Sequence, residues 1–264
     1  FTDLGGTFTV VANPNLGGPG VPISVWATDA NVGPGGGDWQ TCNHDAFRDS
    51  GDVCMDTKKD SDPWKFCKCP EDLSGAKIGE NADIVIYKED DFPDPFLYAF
   101  GDPSVVDGLA KDDPDRIAAV DASKEQIEAL AEASGLVLTD CAELTDDFND
   151  LVGSALVWVK GDCTINANTI IGSRDKPIIL VAEQDLTVNG EVELWGVAVG
   201  LNEVSINGTA VFHGSMVAET STKVTSGGYT QVYDQAVFDS LLDDSINTQL
   251  TKLSFSWCDF RPVQ

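Results

Sequence analysis

Apolar and polar positions alternate most regularly between Leu156 and Glu219. One short pattern occurs there three times, with Cys163-Thr164-Ile165-Asn166, Leu186-Thr187-Val188-Asn189 and Val204-Ser205-Ile206-Asn207 as its cores. A second element follows each core: Ile170-Ile171-Gly172, Leu194-Trp195-Gly196 and Phe212-His213-Gly214. Hydrophobic runs precede or close the units, at Leu156 to Val159, Ile178 to Val181, Val197 to Val199 and Met216 to Ala218. The step from Ile165 to Val188 is 23 residues, and from Val188 to Ile206 it is 18. Such a period implies stacked coils, each burying its apolar side against its neighbour. Glycine and asparagine punctuate the units because they tolerate positive φ at tight corners. The pattern predicts a short right-handed β-helix-like stack of about three coils. A sandwich of short strands is the alternative, and it leaves the repeat without a cause.

Outside the repeats the alternation is weaker. Thr7 to Val11, Ile23 to Trp26 and Ile84 to Tyr87 read as strands. Asn13 to Gly20 and Gly33 to Gly37 read as loops. Neither loop opens a helix or carries a lysine, so neither is a phosphate cradle. Asp94-Pro95 starts a short helix that Gly101 stops, and Asp113-Pro114 repeats the start signal. Ser123-Lys124-Glu125-Gln126 is a capping box opening a helix with Ile127, Leu130 and Ala131 inward and Gly135 at its end. Asp234 caps a last helix with Val237, Phe238, Leu241, Leu242 and Ile246 inward. Open coil ends expose unpaired backbone, so these helices, with Phe96, Tyr98 and Phe100, are expected to cap the stack. The class is therefore mainly β with flanking α. A β/loop and helical part spans 1–150, the repeats 151–233, and a capping helix and tail 234–264, together forming one structural unit.

Charge narrows the partners. Asp and Glu number 44 against 16 Lys and Arg, a net charge of −28. That surface repels nucleic acid and anionic lipid. An apolar content of 42% supports a real core, so the acidity reads as a solvated surface rather than disorder. No run of about 18 apolar residues occurs, so no spanning helix is expected. Strand-like residues follow Phe1 at once, and a segment removed by processing or supplied by another chain is expected before it.

Seven cysteines, without Cys-x-x-Cys and with only His44 and His213 beside them, read as disulfides of an exported protein rather than as a zinc site. Cys141 and Cys163 would fasten the helical region to the first coil. Cys67 and Cys69 are too close to bridge each other, so each is expected to pair with Cys42 or Cys54. Cys258 is the odd thiol, free or paired with another chain. Asp56, Asp60 and Asp62 are dense enough to be calcium candidates, but the central glycine and closing glutamate of a calcium loop are missing.

Three candidate surfaces remain. Asp162, Asp185 and Glu203 precede the three cores at matching positions, and a carboxylate row can supply acid and base to a polysaccharide-cleaving coil enzyme. Trp158, Trp195 and Tyr229 could form a stacking surface for carbohydrate. His213 has no nucleophile elbow to serve, and reads as structural. Asn207-Gly208-Thr209 matches a glycosylation acceptor but lies in a coil corner. Lys and Arg are sparse near the row, three coils are short, and acidic corners are common on solvated surfaces. The expectation is thus no catalytic residues and no cofactor.

Three ordered blocks resemble the PilX-like minor pilins of type IV pili. They are Gly18 to Trp26, close to GPGVPVSVW; Gly161-Asp162-Cys163 through Thr169 to Ser173, Pro177 to Val181 and Asp185 to Gly190, like GDC, TIGS, PVLLV and GDLTLNG; and Tyr233-Asp234 with Ser256-Trp257, like an ending around SWRDF. The sequence departs from that pattern at Cys258, where the family commonly has arginine. The amino-terminal hydrophobic helix that anchors a pilin is not among these residues, and it is expected to have been cut away or to be supplied by a separate chain. The resemblance implies a globular head displayed on a cell-surface pilus of an exported Gram-negative protein. It implies roles in assembly priming, adhesion or aggregation, with other pilins as partners, one of them supplying the helix if a separate chain does. A surface or carbohydrate ligand is the further partner this reading allows, through loops such as 41–72.

Overall fold

In a computed structural model, the described residues are 94–144, 155–166, 169–232 and 234–243, with the backbone of strands at 3–4, 7–12, 25–27, 39–43 and 84–86. Asp56, Asp60, Asp62, His44, Cys54, Cys67, Cys69 and Cys258 lie outside them, as do the side chain of Cys42 and most of the loop 41–72.

The repeats form a parallel β-solenoid. Its strands are β7 (Ala155–Val159), β8 (Cys163–Asn166), β9 (Thr169–Ile171), β10 (Ile178–Ala182), β11 (Leu186–Gly200), β12 (Glu203–Ala218) and β13 (Ser221–Val232). Each coil has three faces. On the first, Cys163, Leu186 and Val204 are in register, and on the second Ile171, Leu194 and Phe212. On the third, Ala155, Ile178, Gly196 and Gly214 are aligned. The three asparagine-ended cores are therefore three consecutive rungs of the first face, as the repeat predicted.

The stack has about five turns rather than three. Two pieces were hidden. The strand β13 continues the first and second faces, but a register shift opposite Ile206 and Asn207 sets Thr225 between the paired Val224 and Ser226. That irregularity breaks the repeat spacing. The second piece comes from the other end of the sequence. Strands β1 (Asp3–Leu4) and β2 (Thr7–Ala12) pair in parallel with β13, and β4 (Trp39–Asn43) pairs with β2. A separate parallel pair joins β3 (Val25–Ala27) to β5 (Ile84–Ile86).

The third face explains its own sequence. Ala155, Val157 and Val159 of β7 point into the coil, while Leu156 and Trp158 point out of it into a second apolar cluster. The same split holds for Ile178, Leu180 and Ala182 against Ile179 and Val181. Strands buried on both sides of a parallel sheet read as continuous apolar runs. The first face is half-buried: Cys163 and Ile165 face in, Thr164 and Asn166 face out. Its period of two follows.

The helices, expected at the coil ends, lie along the outside of that third face. They are α1 (Pro95–Phe100), α2 (Pro114–Ala133) and α3 (Gln235–Asp243). Phe96, Phe100, Ile127, Ala131, Val237, Phe238 and Leu241 bury against Ile179, Val181, Val197 and Val199. This placement follows from the outward Leu156, Trp158, Ile179 and Val181, which would otherwise be exposed. Asp94 caps α1, its carboxylate accepting from Phe96 N and Leu97 N at 3.1 and 3.0 Å. The two expected helix starts near Asp113 and Ser123 merge into one 20-residue helix that begins at Asp113. Ser123 therefore lies inside α2, and the capping box opens nothing. The helix ends before Gly135, whose φ is 69°.

The end of the stack at β7 is closed by the segment 137–144. It holds β6 (Val137–Leu138), paired with Trp158 and Val159, and a 3-10 turn at Cys141–Glu143. Leu138, Cys141 and Leu144 enter the coil core. The expected bond between Cys141 and Cys163 is present, with a sequence separation of 22. Asp140 caps the turn by accepting from Ala142 N at 2.9 Å.

Candidate functional site

The corner before the first face carries the acidic row. Asp162, Asp185 and Glu203 do line up, each at the entry to its coil. Asp162 Oδ1 accepts from the backbone N–H of Asp185 at 3.3 Å. Asp185 Oδ1 accepts from Asn202 Nδ2 at 2.6 Å and from the N–H of Glu203 at 3.2 Å. Glu203 Oε2 accepts from Ser221 Oγ at 2.9 Å and pairs with Lys223 Nζ at 2.6 Å. Each carboxylate thus satisfies donors of the next coil. Stacked corners turn backbone N–H groups away from the strand ladder, and these acids are their acceptors. The chemistry of the row is cohesion between coils. Glu183 repeats the device by accepting from Gly161 N at 3.0 Å.

Four residues further along each coil, the asparagines form a ladder on the outer side of the first face. Asn189 Nδ2 donates to Asn166 Oδ1 at 3.1 Å, and Asn207 Nδ2 to Asn189 Oδ1 at 3.2 Å. Thr225, the displaced residue of β13, donates its hydroxyl to Asn207 Oδ1. Asn207 therefore uses both amide atoms within the stack, in line with its corner position in the acceptor-like Asn207-Gly208-Thr209.

The corner between the second and third faces holds an aromatic stack. The rings of Trp195 and His213 lie 3.6 Å apart and nearly parallel, 10° between planes. Glu193 Oε1 lies 3.3 Å from His213 Nε2. His213 is fully buried. Trp158 and Tyr229 are both buried too, Tyr229 packing edge-on to Phe212 at 5.4 Å. Of the three aromatic residues proposed as a stacking surface, two are core, and the third lies against a histidine. Burial also pushes the Tyr229 phenol well above its ordinary range. Its hydroxyl donates to Gln231 Oε1 at 2.8 Å.

A link that sequence reasoning missed joins the helices to the coils. Lys124 Nζ on α2 sits 2.9 Å from Glu219 Oε1 and 3.0 Å from its Oε2, at the corner after β12. Lys124 also stands 5.9 Å from the centre of the Phe96 ring. Glu219 ends an apolar run, which is the one local sign of a special role; its partner 95 residues away leaves none. Burial holds the Glu219 carboxyl above its ordinary range, and Asp94 and Asp121 add to this, while Lys124 opposes it. A raised folded-state pKa gives stability that is full below the unfolded value and lost as pH rises through the folded one. Glu219→Gln removes that loss. The melting temperature of the variant relative to the native chain is expected to rise between pH 4.5 and neutrality. Paired melting curves check this; a relative fall over that range would contradict it.

Among the described residues no group of three or more His, Cys, Asp or Glu is placed to hold a metal ion. No described helix is long and apolar enough to cross a membrane. Fold and corners together define a helix-clad parallel β-solenoid whose polar residues tie coil to coil. Comparison of the chain with protein-family models, with curated proteins and with solved structures finds no match.

Proposed function

We propose that the chain is the displayed head of a PilX-like minor pilin, a structural and adhesive component of a type IV pilus outside the cell. One observation carries the reading: the residues shared with the pilin blocks are the ones that hold the coils together. Gly161 turns the corner with φ 82°, Asp162 accepts from the next coil and Cys163 anchors the disulfide. Gly172 turns with φ 73°, Pro177 to Val181 leads into the doubly buried third face, Asp185 repeats the Asp162 corner, and Gly190 turns the chain after the first face with φ 90°. Motifs of this kind specify a rigid scaffold. The acids that a coil enzyme would need are the same residues, engaged as acceptors, which favours display over catalysis.

The partners in this reading are other pilins, and the acidic surface favours contacts with cationic or neutral surfaces. Antibodies raised against the folded chain are expected to decorate pili sheared from the source cell, at tips or at intervals along the filament. Labelling confined to the cell body or the medium, with bare filaments, would overturn the assignment.

A further inference from the structure

The chain has two Asn-Gly pairs, Asn189-Gly190 and Asn207-Gly208, and both sit in the polar ladder of the first face. Asparagine is a chemically labile residue, and most so before glycine, which has no side chain to shield its nitrogen from the preceding amide. The coil cannot replace these glycines. Gly190 turns with φ 90°, and a Cβ on Gly208 would fall on the backbone of Gly190 in the neighbouring coil. With an asparagine before each, the hazard is built into successive rungs.

The ladder engages the group that would react. In deamidation the glycine nitrogen bonds to the asparagine side-chain carbonyl carbon. Ammonia leaves, taking the proton of that nitrogen, and water opens the succinimide ring to aspartate or isoaspartate. The side-chain amide must first turn toward the backbone of the next residue. Asn189 is held at both ends: its Nδ2 donates to Asn166 Oδ1 at 3.1 Å, and its Oδ1 accepts from Asn207 Nδ2 at 3.2 Å. Asn207 is held at both ends too, because its Oδ1 accepts from the Thr225 hydroxyl. Turning either amide toward its glycine breaks two hydrogen bonds. The displacement of Thr225 from the register thereby has a use: it sets a hydroxyl against the last amide.

We infer that Asn189 and Asn207 are latent deamidation sites gated by this ladder, and that Asn166 and Thr225, at its two ends, hold the gate closed. Both end residues are exposed, so neither is needed to fill the core. The test is site-resolved peptide mass spectrometry of the full chain, held warm at mildly alkaline pH, folded and in urea. The folded native chain should deamidate at both pairs at least about tenfold more slowly than the unfolded chain. Thr225→Val should speed Asn207 about fivefold, the effect of one lost hydrogen bond, with a smaller effect on Asn189. Asn166→Ala should do the reverse, and Thr225→Ser should keep the native rate at Asn207. Equal rates in folded and unfolded chains would show that the pairs are not gated. Protection that survives both variants would place it in the backbone alone, and equal acceleration of both pairs by either variant would assign it to a general loosening of the fold. Any of these three results overturns the inference.

Discussion

Alanine at position 214 is expected to unfold the protein well below the native melting temperature, while alanine at position 135 is nearly tolerated. The two glycines separate two effects. Gly135 has φ 69° and no atom within 4 Å of an added Cβ. Its substitution meets only the strain of a left-handed backbone, about 1 kcal/mol. Gly214 has φ 141°, and an added Cβ would be driven into the carbonyl of Gly196 in the neighbouring coil. Gly196 stands in the same relation to Ile178. Backbone cannot swing aside as a side chain does, so the corner must open and the coils must part there. That combination costs more than about 3 kcal/mol. At roughly 2–4 °C per kcal/mol for a chain of this size, the melting temperature should fall by about 10 °C. Calorimetry of both variants checks the contrast; equal falls would mean that corner contact is not what the glycine serves.

Loss of the Cys141–Cys163 bond is the second large expected effect. A closed loop of that length stabilises by about 3 kcal/mol in the chain-entropy model. Both cysteines are buried, at 2% and 0% exposure. The pair also pins Leu138 and Leu144 over the open end of the coil core. The double variant Cys141→Ala/Cys163→Ala should therefore melt about 6–12 °C lower. It should also expose the apolar end of the stack, read as increased binding of a hydrophobic dye. An unchanged melting temperature would show that the segment 137–144 closes the end without the bond.

The legible part of this fold is the part written as a local repeat. The cores at Cys163, Leu186 and Val204 announced their own stacking, because identical corners impose identical residues. Asp94, Asp113 and Asp234 announced helix starts, because a cap is a local hydrogen bond. The disulfide was legible because only Cys141 and Cys163 flank the entry to the first coil. The turns beyond the third were not. Thr225 disturbs the period in β13, and residues 3–12 join the stack from a distant part of the sequence. Helix position was misread for a related reason. An apolar stripe on α2 or α3 says that something is covered, and not whether it is an end or a side. The decisive clue was in the strands: Ile178-Ile179-Leu180-Val181 has no polar alternate, so both its sides had to be buried.

At the candidate site the residue types were visible, but their use was not. Asp162, Asp185 and Glu203 look alike as an acid–base row and as a set of corner acceptors. The difference lies in which N–H groups face them, which depends on coil height. Lys124 and Glu219 meet only because α2 lies along the third face.

Amide hydrogen exchange followed residue by residue tests most directly that the third face is enclosed between coil core and helices. Ile179 to Val181 and Val197 to Val199 should exchange only through global unfolding, slower than the exposed side of α2 at Asp121 and Glu125. Exchange of those strand amides as fast as that helix surface would contradict a third face buried on both sides.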